Sequence, residues 1–200
     1  MITALKPGIE KVMRIFYENK EGKFHLREIA RKAKLYGQSI TRYLNGLEKE
    51  GILKSEKEGN MKKYSLNKNK KAYSLLALFD VERFERLPDI RKSAISRYLD
   101  KLDEVPVFAV MFGSTSKGTF KEGSDIDLLI ITNRRIDPKK AEKEADAVTA
   151  LKISTFQMNY PDFIREIRLK EDPVVQSAIF SGYPILNHIS YYGVLYNERI

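Results

Sequence analysis

A chain of 200 residues that is 42% hydrophobic, with 10 Phe and 11 Tyr, carries enough apolar surface for one large or two small packed domains. It contains no run of eighteen apolar residues and no basic-then-apolar leader, which excludes a membrane span and a secretory signal and leads us to expect a cytoplasmic protein without disulfides, since cysteine is absent. The formal charge of +9 is concentrated: residues 1–70 hold 17 Lys and Arg against 8 Asp and Glu, whereas residues 71–200 hold 19 of each, so the first third is expected to meet a polyanion.

In that basic third, Ile9, Val12, Met13, Ile15 and Phe16 recur at helical spacing, and Asn19 to Gly22 ends the helix. Leu26, Ile29, Ala30 and Ala33 mark a short second helix, with His25 an ordinary residue near its start. After Lys34 to Gly37 a third follows, with Ile40, Tyr43, Leu44 and Leu47 as its buried stripe, and Gly51 stops it. Ile52 to Lys57 and Met61 to Leu66, separated by Glu58-Gly59-Asn60, read as a hairpin. Three helices followed by a hairpin resemble a winged helix-turn-helix over residues 5–67. The resemblance implies a homodimer on double-stranded DNA, with Gln38, Ser39, Thr41, Arg42 and Asn45 opposite the buried stripe and suited to base edges or phosphates. Lys54, Lys57, Lys62 and Lys63 would grip the backbone. A winged helix also serves elsewhere as a protein-docking unit, but the localised charge favours DNA.

Asn67-Lys68-Asn69-Lys70-Lys71 breaks both periods and marks a boundary. Two helical patterns follow: Tyr73, Leu76, Ala77, Phe79, Phe84 and Leu87 belong to the first, and Pro88 starts a second with Ile90, Ala94, Ile95, Tyr98, Leu99 and Leu102 on one face. We therefore expect a winged helix over 1–67, a helical connector over 68–103, which is available for dimerisation, and a third domain over 104–200.

The chemistry lies in that third domain. Val105 to Phe112 reads as a strand that ends at Gly113-Ser114, and ten residues later Asp125-Ile126-Asp127 opens the apolar run Leu128 to Ile131. Side chains alternate along a strand, so Asp125 and Asp127 share a face roughly 6.5 Å apart. Two carboxylates at the root of an apolar strand call for a proton or a cation between them, and a hard divalent metal fits. Lys117 precedes Gly118, the reverse of the Gly-Lys-Ser/Thr order of a Walker loop, and two histidines without cysteine leave a zinc site unsupported.

This stretch resembles the nucleotidyltransferase superfamily that includes DNA polymerase beta, and most closely its minimal nucleotidyltransferases with a Gly-Ser-x10-Asp-x-Asp signature. The match is carried by Gly113, Ser114, Gly118, Ser124, Asp125 and Asp127 and extends over residues 104–190. It implies that Gly113, Ser114, Gly118 and Ser124 take a nucleoside triphosphate, and that Asp125 and Asp127 are catalytic and hold magnesium or manganese. An acceptor hydroxyl would then attack the alpha phosphate as pyrophosphate leaves. The chain departs from the pattern in one respect. Members that catalyse well carry a third carboxylate on the strand after the next helix, and Leu151 to Met158 contains no acid; Ser154 or Thr155 stands there, and Asp162 and Glu166 follow on the next helix.

The remaining elements are a charged helix over Pro138 to Ala150, a strand over Ile153 to Met158, helices over Tyr160 to Lys170 and from Asp172-Pro173 to Phe180, and a short edge strand at Gly182 to Leu186. Tyr191, Tyr192 and Tyr196 read as C-terminal packing, with base stacking as the alternative. The whole is an α+β chain with an N-terminal winged helix, a helical connector and a C-terminal nucleotidyltransferase-like mixed sheet flanked by helices. The leading expectation is a DNA-binding regulator that binds NTP and magnesium and transfers a nucleotidyl group to a protein or small molecule. The alternative is a domain that has lost catalysis and senses nucleotide or docks a separate partner protein, as an antitoxin covers its toxin.

Overall fold

The computed structural model describes residues 5–197, and the chain divides between Glu82 and Arg83 into two units, each with its own core. In the first, α1 (Pro7–Glu18) starts at a proline, whose missing N–H is no loss in a first helical turn, and buries Val12, Met13 and Phe16 completely. It is followed by β1 (Phe24–His25), α2 (Leu26–Ala33), α3 (Gln38–Lys49), β2 (Leu53–Glu58) and β3 (Met61–Leu66). Lys34 and Gly37 both have positive φ, which turns the chain sharply between α2 and α3. The hairpin bends at Gly59 (φ 58°), and β1 adds a third antiparallel strand through Phe24↔Tyr64, giving the order β1-β3-β2. Two residues are too few for any period, so β1 leaves no trace in the sequence.

α4 (Lys70–Glu85) belongs to this unit through Glu82. It buries Ala72, Tyr73, Leu76 and Phe79, and Tyr17 donates a 2.7 Å hydrogen bond to the fully buried Asp80. Arg14 pairs with Glu82 at 2.8 Å and lies 4.9 Å over the Phe79 ring. The expected connector is thus divided between the units. An apolar stripe reports that a helix face is covered, without reporting by what.

The second unit comprises α5 (Asp89–Asp100), β4 (Phe108–Phe112), α6 (Gly113–Lys117), β5 (Ile126–Thr132), α7 (Lys139–Thr149), β6 (Ile153–Asn159), α8 (Tyr160–Leu169), α9 (Pro173–Ser181), β7 (Tyr183–Leu186) and α10 (His188–Asn197). The sheet order is β6-β5-β4-β7, with β5 and β6 parallel and the other pairs antiparallel, so the sheet is mixed and the architecture is α+β. Pro184 is tolerated because β7 is an edge strand. One face of the sheet packs Ile126, Leu128 and Ile130 against Ala94, Ile95 and Tyr98 of α5 and Ala141 and Ala145 of α7. On the other face Phe108 meets Phe163 and Tyr191 edge-on at 5.2 and 5.6 Å. Tyr191, Tyr192 and Tyr196 are each buried to within 3% of full coverage, so the tyrosine cluster is core and offers no ring for a base to stack on. Among the described residues no helix is long and apolar enough to cross a membrane.

Candidate nucleotide and metal site

β4 runs out at Phe112, and Gly113 turns the chain at φ 68°, a conformation that costs glycine little. Space imposes a second requirement: a Cβ at Gly113 would collide with Asp127 Oδ2 and lie 2.9 Å from its Cγ. The Asp127 carboxylate is therefore seated against the bare Gly113 backbone, just as strand pairing sets Phe112 opposite Asp127.

Ile126 and Leu128 face the core beneath α5 and α7, so Asp127 points to the opposite face, as does Asp125 just ahead of the strand. Burial, followed by the neighbouring Asp125, pushes the Asp127 carboxyl above the usual carboxylate range. Lys152 Nζ approaches Asp125 Oδ2 at 3.3 Å, but the lysine is 71% exposed and the pair is screened by solvent. Two carboxylates on one face, offset among the described residues by this screened lysine, suit a hard divalent cation, whose other positions would take water or phosphate oxygens.

Among the described residues no group of three or more His, Cys, Asp or Glu is placed to hold a metal. Register explains why. Asp127 lies beside Ser154 on the parallel neighbour β6, with Ser154 exposed. Thr155 is turned to the other face, where its hydroxyl donates to the Tyr98 phenol at 2.8 Å, a phenol that burial pushes up to about 12. Asp162 and Glu166 follow the far end of β6, where Thr132 pairs with Asn159, roughly 16 Å along the strand from the Asp127–Ser154 pair at about 3.3 Å per residue. Asp162 accepts from Asn159 at 2.6 Å and also engages Arg165. Glu166 is buried and accepts from the Asp172 amide at 2.9 Å and Gln176 at 2.6 Å. Neither acid reaches the pair.

Three successive hydroxyls at the corner divide by role. Thr115 and Ser116 are buried and bonded, Ser116 to the carbonyls of Gly113 and Ser181 at 3.0 and 3.2 Å. Ser114 is half-buried and its hydroxyl makes no hydrogen bond among the described residues. Gly118 caps α6 at φ 69° in open space, and Ser124 Oγ accepts from the Lys121 amide at 2.9 Å, so both shape the loop.

Two arginines that no sequence motif marks also meet this corner. Arg83 donates to the Ser116 carbonyl at 2.8 Å and lies 4.0 Å over Tyr183. Arg91 is 3% exposed; it donates to Thr115 Oγ1 at 2.9 Å and to the carbonyls of Ser124 and Lys121 at 3.0 and 3.4 Å, 4.1 Å over Phe120. A charged residue on a helix reads as solvated. The available signal was spacing, because Arg91, Ala94, Ile95 and Tyr98 form one buried stripe.

In the first unit, Gln38, Thr41, Arg42 and Asn45 are exposed on α3, Ser39 is half-buried, and Ile40, Leu44 and Leu47 face inward. Tyr43 is half-buried instead of lying in the stripe's core. The four hairpin lysines divide by strand alternation: Lys57 and Lys62 are cross-strand neighbours on the face that carries Leu53, Tyr64 and Leu66, whereas Lys54 and Lys63 lie on the other. Lys62 pairs with Glu48 at 3.4 Å and Lys63 with Glu58 at 2.5 Å; Lys54 and Lys57 make no ion pair among the described residues. His25 approaches Glu58 through Nε2 at 3.2 Å and the Lys62 carbonyl through Nδ1 at 3.2 Å.

A family model described as "Nucleotidyltransferase domain" matches residues 92–185, a span that begins within α5, ends within β7 and includes the glycine corner and both aspartates. Comparison with curated proteins and with solved structures gave no match. The second unit is accordingly a nucleotidyltransferase-like domain.

Proposed function

We propose that the chain is a DNA-binding regulator whose nucleotidyltransferase-like unit binds a nucleoside triphosphate with magnesium or manganese and acts as a nucleotide sensor or partner-docking module. The observation that carries this reading is Ser154 beside Asp127, where a third carboxylate would complete the site. Asp125 and Asp127 would hold the metal, which when bound neutralises phosphate charge. The Gly113 turn and the unengaged Ser114 hydroxyl would receive the triphosphate.

A second reading, nucleotidyl transfer to a protein or small-molecule acceptor, is favoured by the intact aspartate pair and glycine corner. In it the acceptor oxygen bonds to the alpha phosphorus as the bond to pyrophosphate breaks, and the acceptor's proton must leave. A serine hydroxyl is a poor base at neutral pH, so transfer would be slow.

For the first unit, the order of three helices and a hairpin, the exposed polar face of α3 and the concentrated positive charge support a winged helix that reads a major groove, as a homodimer on a palindromic site. A separate protein partner is the other candidate occupant. Incubation with each labelled nucleoside triphosphate and magnesium or manganese, comparing the native chain with Asp125→Asn/Asp127→Asn, separates the readings. Metal-dependent binding without label transfer supports the sensor, and transfer abolished in the double variant supports the enzyme. If neither binding nor transfer occurs, both fall.

A further inference from the structure

We infer that Arg91 is the positioning residue of this corner: a buried guanidinium that ties the glycine turn to the segment carrying Asp125, so that phosphate and metal sites face each other. The inference rests on the nucleotide-binding reading and deepens it. Arg91 lies one residue ahead of the matched span, so the family match does not assign it.

The loop between the two halves of the motif needs an external clamp. Lys117 to Thr119 and Lys121 to Gly123 are exposed, and Gly118 and Gly123 adopt φ of 69° and 76°. Arg91 reaches both flanks, Thr115 Oγ1 at 2.9 Å on the turn and the Ser124 carbonyl at 3.0 Å ahead of Asp125. Thr115 Oγ1 is itself 3.4 Å from the Asp125 carbonyl, which closes the link. All of these acceptors are neutral, and no carboxylate pairs with Arg91 among the described residues. A charge buried against neutral acceptors is a poor means of stabilising a fold, and an apolar side chain of similar size would serve as well or better. What the guanidinium adds is direction. Its rigid planar fork holds three acceptors at once, which the single ammonium of lysine does not. The groups that the fork reaches are one hydroxyl and two backbone carbonyls, so the role is geometric.

The test uses the full chain and its Arg91→Lys, Arg91→Ala and Thr115→Val variants, with Mn2+ affinity read by water-proton relaxation and amide exchange read over residues 118–125. Arg91→Lys keeps the charge and the stem, and Thr115→Val removes one anchor with little change in shape, so either serves if Arg91→Ala does not fold. The expected result is at least tenfold weaker Mn2+ binding in Arg91→Lys with at least tenfold faster exchange across 118–125, while exchange in β4 and β5 is unchanged. Native Mn2+ affinity and native exchange in Arg91→Lys would overturn the inference. If the native chain binds no Mn2+, the nucleotide reading fails on its own, and loop exchange in the variants still decides whether Arg91 positions the corner.

Discussion

At Gly113 two requirements coincide, a left-handed backbone and an empty space where Asp127 rests. Gly113→Ala should therefore destabilise the chain by about 1–3 kcal/mol in urea unfolding and also weaken Mn2+ binding, because the new methyl displaces the carboxylate. Asp127 makes a prediction with a definite sign. Burial and Asp125 raise its carboxyl in the folded protein, so the folded state keeps the proton to higher pH than the unfolded chain does. The associated stability is full below the ordinary carboxylate range and is lost as pH rises through the folded value. Asp127→Asn should raise Tm at pH 7 and leave it nearly unchanged at pH 3; a lower Tm at pH 7 would contradict the assignment. Mn2+ should reverse the order at pH 7, since metal at one hundred times its Kd stabilises the native chain by about 2.7 kcal/mol and has lost its ligand in the variant. The aspartate pair and Gly113-Ser114 were legible in sequence because their spacing is local. The burial of Arg91 was legible in its helical spacing, but its acceptors were not, because they lie between 24 and 33 positions away.

At the scale of elements, the boundaries of most helices and strands follow from prolines, glycines and periodicity, but strand register does not. The parallel pairing of β5 with β6 sets Ser154 beside Asp127 and sends Thr155 to Tyr98. Ser154→Asp should consequently add a third carboxylate to the face and tighten Mn2+ binding about tenfold, roughly 1.4 kcal/mol. Thr155→Asp should do the reverse, placing an acid beside a buried phenol and losing stability without gaining metal affinity. Equal metal affinities in the two variants would refute the register. Helix caps behave more locally. Asp172 accepts from the amides of Val174 and Val175 at 2.9 and 3.1 Å, and Asp172→Ala should cost about 1 kcal/mol, readable by urea unfolding.

For the whole molecule, the boundary after Glu82 carries consequences that the polar run at 67–71 does not suggest. A fragment ending at residue 67 lacks Tyr73, Leu76 and Phe79, each worth about 1.5–3 kcal/mol when buried, and should fail to unfold cooperatively. One ending at Glu82 should unfold cooperatively and keep whatever DNA binding the full chain has. That binding should weaken steeply with salt, with a slope of log K against log salt of about −3 if Arg42, Lys54 and Lys57 meet phosphates, at about 0.9 per contact. An affinity indifferent to salt would remove the groove model.

Composition, charge distribution and short-range spacing were enough to place the basic unit first, the α+β class, and the paired carboxylates ten residues beyond a glycine turn, because each is a property of neighbours along the chain. Tertiary structure alone decided which core the two middle helices join, which residue stands beside Asp127, and which buried arginine spans the motif. Those outcomes depend on contacts between segments far apart in sequence, and a hydrophobic period specifies that a face is covered without naming the surface that covers it.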